Sequence, residues 1–239
     1  MPLQAQQLVS LACQEAKCPS WTSQAGQKLN LILNELCSYD MDVIRGAYLF
    51  SFNGSTGPYP LATDWLRANR EDVFYTIDGV KYFMTPIELA EYDALIQQAG
   101  LNSYPQNYAV DNSQTTVASL GAPQMYVWPP ANGAYPVTAR YFRQMPDITT
   151  PETSSTIPWF PSQLYLQRRL TGEMMLMSGD DRAGVFLGGQ SRDGFLGAQA
   201  ILDRYLKTEG DEVPKTVTLD RRRFGPRWGA LRDTKTTWG

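Results

Sequence analysis

Residues 73–84 read VFYTIDGVKYFM, the stretch that decides the fold of the middle of the chain. The runs VFYTI and VKYFM are rich in the β-branched and aromatic residues that favour strands. Asp78 and Gly79 between them are typical of a two-residue type I′ turn, because both positions of that turn need a positive φ. The pattern therefore predicts an antiparallel β-hairpin.

Other β signals lie on both sides of this hairpin. Residues 47–52, AYLFSF, alternate in the manner of a strand, and a short strand is expected at residues 108–110. Residues 125–128 and 135–142 are expected to form a second hairpin around the turn sequence PPANG. Between the hairpins, residues 85–88, TPIE, match a capping box and predict a helix that runs to about residue 98.

The two ends of the chain have helical patterns. Apolar residues recur at spacings of three and four in residues 3–17, 22–39, 161–179 and 195–207, and the stripe of the third segment consists of Leu166, Leu170, Met174 and Met177. An amphipathic helix cannot bury its apolar stripe alone, so we expect the terminal helices to pack together. The predicted fold class is α+β, with a helical bundle formed by residues 1–46 and 159–212, a β-hairpin-rich insertion at residues 47–158, and an extended C-terminal arm at residues 213–239.

The arm differs from the rest of the chain in charge. It holds seven basic and two acidic residues, a net charge of +5, whereas residues 1–212 hold 14 basic and 22 acidic residues, a net charge of −8. Phe224, Trp228, Leu231 and Trp238 are spaced among its charges. Because aromatic and Arg residues are favoured in buried interface centres, we interpret the arm as a segment that orders when it docks in a partner's groove. A nucleic-acid-binding tail and a strap that folds back on its own body remain as alternatives.

Size and composition exclude several classes of protein. With 239 residues, 43% of them hydrophobic, the chain can bury a substantial core. Its N-terminus lacks a basic leader followed by a long apolar run, and no window approaches the ~18 apolar residues that a membrane span requires. The sequence therefore predicts a soluble protein made in the cytoplasm.

Motifs for chemistry are lacking in the sequence. The chain has no histidine, which excludes Ser-His-Asp and Cys-His catalysis. Cys13, Cys18 and Cys37 form no CxxC pair and are expected to be buried, reduced thiols rather than zinc ligands. The glycines of residues 184–197 match no phosphate-binding motif, and the adjacent Asp180 and Asp181 have no convincing metal-ligand spacing. No catalytic residue, cofactor or metal is predicted.

Several segments in order along the chain carry a resemblance to a known family. They are SQAGQKLNLILNELCSYDMDVIRG, YPLATDWLR, VWPPANGAYPVTARYFRQMPDI, IPWFPSQLYLQRRL and TVTLDRRRFG. In pattern and order they resemble the head-to-tail adaptor proteins of short-tailed, podovirus-type bacteriophages, which are also called connector or tail tubular proteins. The similarity covers nearly the whole chain.

The resemblance implies a structural role in the virion neck. Adaptors of this type form a ring, commonly of twelve copies, between the portal protein and a tail tube or nozzle protein, and genomic DNA passes through the lumen without specific binding. By the same resemblance the arm docks on the portal, and the hairpins face neighbouring subunits or the tail. The implied portal-docking residues are Arg221, Arg222, Arg223, Phe224, Arg227, Trp228 and Trp238, and the implied subunit or tail contacts are Tyr75, Tyr82, Tyr126 and Trp128.

Other functions remain open at this point. A nucleic-acid-binding module could use the basic arm, and its affinity for DNA would fall steeply with salt. A stopper or tail-tube subunit would be a different neck or tail role. A hydrolase acting through carboxylates would need a concave acidic pocket, since paired carboxylates have no sequence signature. The expected function is a non-enzymatic adaptor, made in the host cytoplasm and located in the virion.

Overall fold

The computed structural model describes residues 2–97, 102–112, 122–189 and 194–212. The fold is α+β, as predicted, and these residues form six α-helices and two sheets. The helices are α1 (Ala5–Glu15), α2 (Thr22–Leu36), α3 (Leu89–Ile96), α4 (Gln163–Ser178), α5 (Ala183–Leu187) and α6 (Ala198–Glu212). In the described ranges, no helix is long and apolar enough to cross a membrane.

Each sheet has four strands. The strands are β1 (Arg45–Ser51), β2 (Tyr59–Pro60), β3 (Trp65–Ile77), β4 (Val80–Phe83), β5 (Thr85–Pro86), β6 (Asn107–Asp111), β7 (Gln124–Trp128) and β8 (Pro136–Arg143). Sheet A has the order β1-β8-β3-β4 and is antiparallel throughout. Sheet B has the order β2-β7-β6-β5, in which the short β5 pairs parallel with β6 and the other pairs are antiparallel.

The hairpin predicted from residues 73–84 is confirmed. Ile77 lies opposite Val80 across the turn. Asp78 has φ 48° and Gly79 has φ 80°. Both turn positions therefore take the left-handed conformation that a type I′ turn demands, and the right-handed twist of the two strands is preserved.

The second predicted hairpin is wrong. Both of its strands exist, but β7 lies between β2 and β6 in sheet B, while β8 lies between β1 and β3 in sheet A. The PPANG connection therefore crosses from one sheet to the other. Pro129 and Pro130 have no N–H for a ladder hydrogen bond, and the strands obtain their hydrogen bonds from partners that are distant in sequence.

The capping box predicted at residues 85–88 is also wrong. Thr85 and Pro86 form β5, and α3 begins at Leu89 with Glu88 as its N-cap residue. The N–H of Thr85 donates to the carbonyl of Gln106 at 2.8 Å, and the N–H of Ile87 donates to the carbonyl of Tyr108 at 2.9 Å. These two sheet hydrogen bonds hold the segment extended in place of a local helix start.

Buried apolar side chains of the helices form one core. Helix α4 contacts α1, α2, α5 and α6, and α1 also contacts α2. Leu166, Leu170 and Met174 of the predicted stripe are buried in this core. Met177 is 44% exposed, so its predicted place in the stripe is wrong. It lies in the last turn of α4, beyond the last buried residue of that helix, Met175.

The segment between β8 and α4 has no helix or strand, but it is bound to the helical core. The N–H of Ala5 donates to the carbonyl of Thr156 at 2.8 Å. This hydrogen bond satisfies one of the N–H groups at the start of α1 that have no partner within the helix. In α2, the Asn30 side chain accepts from the N–H of Ile148 and donates to its carbonyl, both at 3.0 Å. Ile148 itself is buried. The connection is thus held against α1 and α2 by specific hydrogen bonds.

A second core lies between the two sheets. Val137, Ala139 and Tyr141 of β8 alternate toward it from sheet A, and Met125 and Val127 of β7 do so from sheet B. Side chains on one face of each sheet therefore meet in a β-sandwich. Helix α3 contacts β6 and β7 on the other face of sheet B.

Candidate interaction surfaces

The face of sheet A that points away from sheet B carries a row of side chains across all four strands, and three of the four are large and apolar. Leu49 lies opposite Thr138, Thr138 lies opposite Phe74, and Phe74 lies opposite Phe83. Leu49 is 71% exposed and Phe83 is 59% exposed, while Phe74, which lies between Thr138 and Phe83 in the row, is only 6% exposed. We call this row, together with Lys81 and Arg140, the sheet A outer face.

Two cations lie on the sheet A outer face. The Lys81 Nζ is 4.7 Å from the centre of the Phe74 ring, whose other neighbour is the Phe83 ring at 5.3 Å. A cation over an aromatic face is stabilised by the ring quadrupole. Arg140 pairs with Asp72 at 3.7 Å, whereas no ion pair joins Lys81 to a carboxylate among the side chains that the structure describes. An external carboxylate could therefore pair with the Lys81 ammonium.

Tyr75 and Tyr82, two of the predicted contact residues, belong to a tyrosine cluster at the rim of the sandwich. Their rings stack at 5.4 Å, and the Tyr104 and Tyr135 rings complete the cluster. Tyr75 is 2% exposed, and burial together with the neighbouring phenols raises its pKa to about 12. Tyr82 is 42% exposed, so it is the member of this pair that offers a surface to another protein.

Tyr126 and Trp128, the other two predicted contact residues, lie on sheet B. They alternate with the buried Met125 and Val127, so they occupy the face that is covered by α3. The Tyr126 ring is 5.3 Å from the ring of Tyr92 in α3. The four predicted contact residues are therefore divided between two places, and their role in binding stays a prediction.

Helix α3 has an acidic outer surface. Ala90 and Ala94 are exposed one turn apart, opposite the buried Tyr92, and Glu91 and Asp93 lie exposed on either side of them. No Lys or Arg occurs in α3. We call these four residues the α3 surface: a shallow apolar strip between two carboxylates.

Groups with the potential for catalysis or metal binding are few among the described residues. No cluster of three or more metal-binding side chains occurs in them. The three cysteines are buried and free, and burial raises the pKa of the Cys13 thiol to about 11. The guanidinium of Arg182 donates to Asp180 through Nε, which is shared by both carboxylate oxygens, and through Nη2, and the backbone N–H of Arg182 donates as well. These hydrogen bonds lower the pKa of Asp180 to about 2. This motif fixes the turn before α5.

The predicted docking arm lies outside the described residues. This applies to all of its predicted anchors, which are Arg221, Arg222, Arg223, Phe224, Arg227, Trp228 and Trp238. Their role stays a prediction.

Sequence reasoning missed two surfaces. Leu49 was recognisable as part of a strand, but its outward direction depends on pairing with β8, which no local pattern shows. The α3 surface had a signal that could have been used, since residues 88–96 contain three acidic residues and no basic ones. Tyr104 and Tyr135 join the tyrosine cluster only through tertiary contacts.

Comparison with models of protein families identifies a family that the chain matches. The family model described as SU10 adaptor protein matches residues 3–220, which is most of the chain. No curated protein matches the chain. The match covers the helices, both sheets and the first residues of the arm, and it agrees with the resemblance of the quoted segments to phage adaptors. The chain therefore belongs to the SU10 adaptor protein family, a family of phage head-to-tail adaptors.

Proposed function

We propose that this protein is a subunit of an adaptor ring that joins the portal to the tail in the virion neck and lets the genome pass. The family match over residues 3–220 is the observation that carries the proposal. In this proposal residues 1–46 and 159–212 form the helical bundle of the subunit, and residues 47–158 form its β-rich insertion. The ring has twelve copies, matching a dodecameric portal.

The arm is proposed to dock on the portal. It carries a net charge of +5 and three large aromatic residues, a composition that suits a groove with acidic and apolar walls. The family match ends at residue 220, so the anchors from Arg221 to Trp238 lie beyond it. Because these residues lie outside the pattern that the family shares, they suit a segment that recognises one particular portal. Tyr82 of the hairpin is proposed to contact a neighbouring subunit or the tail.

The charge of the remaining chain supports passage of DNA without binding. Residues 1–212 have a net charge of −8, so a ring of many copies is strongly negative. Phosphates are repelled by a lumen of the same sign, and DNA can slide through it. The acidic body and the basic arm thereby serve different tasks in the same ring.

Imaging of the complex tests the proposal. Purified full-length protein would be mixed with the portal ring of the same phage, and the complexes imaged and weighed by native mass spectrometry. We expect an added ring-shaped layer on one face of the portal, with a mass of twelve chains. A portal that gains no layer at saturating protein would contradict the function, and a layer of another copy number would contradict only the stoichiometry.

A nucleic-acid-binding module is the second candidate, because the arm concentrates seven basic residues in 27. It predicts that the full-length chain retards DNA and that this retardation weakens steeply with salt. A chain that binds DNA but not the portal would favour this candidate. Binding to a completed portal–adaptor complex, but not to the bare portal, would favour a stopper or tail-tube subunit.

A further inference from the structure

We infer that the sheet A outer face of one protomer packs against the α3 surface of a second copy, and that this contact joins neighbours in the ring. The inference rests on the proposed ring function and names the interface that closes it. It follows from three properties of the two surfaces: their positions in the sandwich, their shapes and their charges.

The two surfaces lie on opposite sides of one β-sandwich. Val137 and Ala139 of sheet A and Met125 and Val127 of sheet B point into the core between the sheets. The sheet A outer face points away from this core on one side, and α3 covers the opposite side. A contact between opposite sides of identical subunits is heterologous, and such contacts form a ring when the rotation closes.

The shapes of the two surfaces are complementary. Leu49 and Phe83 project from the sheet A outer face, with 71% and 59% of their surface exposed. On the α3 surface, Ala90 and Ala94 are exposed and have the smallest side chains that still cover the backbone. A shallow strip of two alanines lets an aromatic or Leu side chain approach the helix closely. Burial of the two large apolar side chains would supply the favourable free energy of contact.

The charges of the two surfaces are complementary as well. Lys81 lies over the Phe74 ring without an ion-pair partner among the described side chains, and Arg140 is paired with Asp72. The alanine strip is flanked by Glu91 and Asp93, and Glu88 adds a third carboxylate at the start of the helix. A net positive face thus meets a negative one, which favours the head-to-tail contact over a contact between two copies of the same face.

Charge reversal tests the inference in the full-length chain. One variant is Lys81→Glu, a second combines Glu91→Lys with Asp93→Lys, and a third carries all three changes. The readout is the protein concentration at which half of the portal rings carry the added layer. Lys17→Glu and Asp181→Lys are matched controls, because both residues are exposed and neither belongs to the two surfaces.

We expect each of the first two variants to raise that concentration about tenfold or more, because each places like charges opposite one another. The chain with all three changes should return to within about threefold of the native value, since it restores opposite charges with their signs exchanged. An equimolar mixture of the first two variants should also assemble, because an alternating ring places opposite charges at every contact. The controls should behave as the native protein.

Other outcomes separate failure of this interface from failure of the function. If the native protein and all variants form the layer equally, the ring closes through other surfaces and the inference is overturned while the function stands. If Lys81→Glu weakens the layer but the α3 variant does not, the sheet A outer face binds something other than α3, which also overturns it. If the native protein adds no layer, the proposed function fails and the inference fails with it.

Discussion

Replacing Asn30 by alanine should destabilise the protein far more than the same replacement at Asn34, one turn later in α2. The two hydrogen bonds of Asn30 go to the backbone of Ile148, which is buried. The bonds of Asn34 go to the side chains of Asp147 and Gln144 at the protein surface. Both residues therefore bind the same connecting segment, but only Asn30 satisfies backbone groups that have little access to water.

The magnitude follows from the groups left without partners. Asn30→Ala orphans one N–H and one carbonyl of Ile148, and each such group costs about 1–3 kcal/mol when it is buried. Asn30 is itself partly exposed, so water can enter, and the lower part of that range applies: about 2–3 kcal/mol in total. Alanine favours the helix over asparagine by about 0.7 kcal/mol in both variants. We expect net losses of about 2 kcal/mol for Asn30→Ala and at most about 0.5 kcal/mol for Asn34→Ala.

Urea unfolding checks this difference. Circular dichroism and tryptophan fluorescence should be followed together, because coincident transitions justify a two-state free energy. Since the residue type, the helix and the replacement are the same, the effect of helix propensity cancels in the comparison. Equal losses in the two variants, within about 0.5 kcal/mol, would refute the argument that burial of the Ile148 backbone determines the cost.

Three further predictions concern local packing and ionisation. Gly172→Ala in α4 would place a Cβ 2.6 Å from two atoms of the Leu187 side chain. We therefore expect this variant to lose about 1–3 kcal/mol in the free energy of unfolding. Gly184→Ala, whose Cβ would meet no atom within 4 Å, should be neutral or stabilising. The pKa of Asp180 is lowered from 3.8 to about 2, so the stability that its pairing with Arg182 provides is present above about pH 4 and is lost as the pH falls through about 2. Urea unfolding of Asp180→Asn over this range should show a difference from the native protein that shrinks toward acid pH, and a constant difference would contradict it. Burial raises the pKa of Cys13, Cys18 and Cys37, so a thiol reagent at pH 8 should label none of the three in the folded protein and all three in denaturant; fast labelling of the folded chain would show that a thiol is accessible.

Local chemistry explains which parts of the fold could be predicted. The hairpin around Asp78 and Gly79 followed from a turn that few residue pairs can adopt, and the sheet pairs these strands as expected. The helices followed from apolar periodicity, and the buried Leu166 and Leu170 confirm the stripe of α4. The residues that form each of these signals lie within about a dozen positions of one another. They can therefore be recognised in the sequence without knowledge of the tertiary structure.

Pairing over long distances explains the errors. β8 lies between β1 and β3, which are about 60 to 90 residues earlier in the chain, and no local pattern selects those partners over the neighbouring β7. The same holds for Thr85 and Pro86, whose capping pattern was outweighed by hydrogen bonds to residues of β6 and the segment before it. The interaction surfaces depend on these pairings, because pairing decides which side of each strand faces outward. The sheet A outer face and the α3 surface therefore required the structure.

Co-sedimentation with the portal ring tests the central claim most directly, with full-length protein compared against a chain truncated after Glu212. The truncation keeps every described residue, and its circular dichroism and urea unfolding should match those of the full-length chain. We predict that full-length protein sediments with the portal and that the truncated chain stays in the supernatant. If the truncated chain binds as well as the full-length one, the arm is not the docking element, and if neither binds, the adaptor function itself is contradicted.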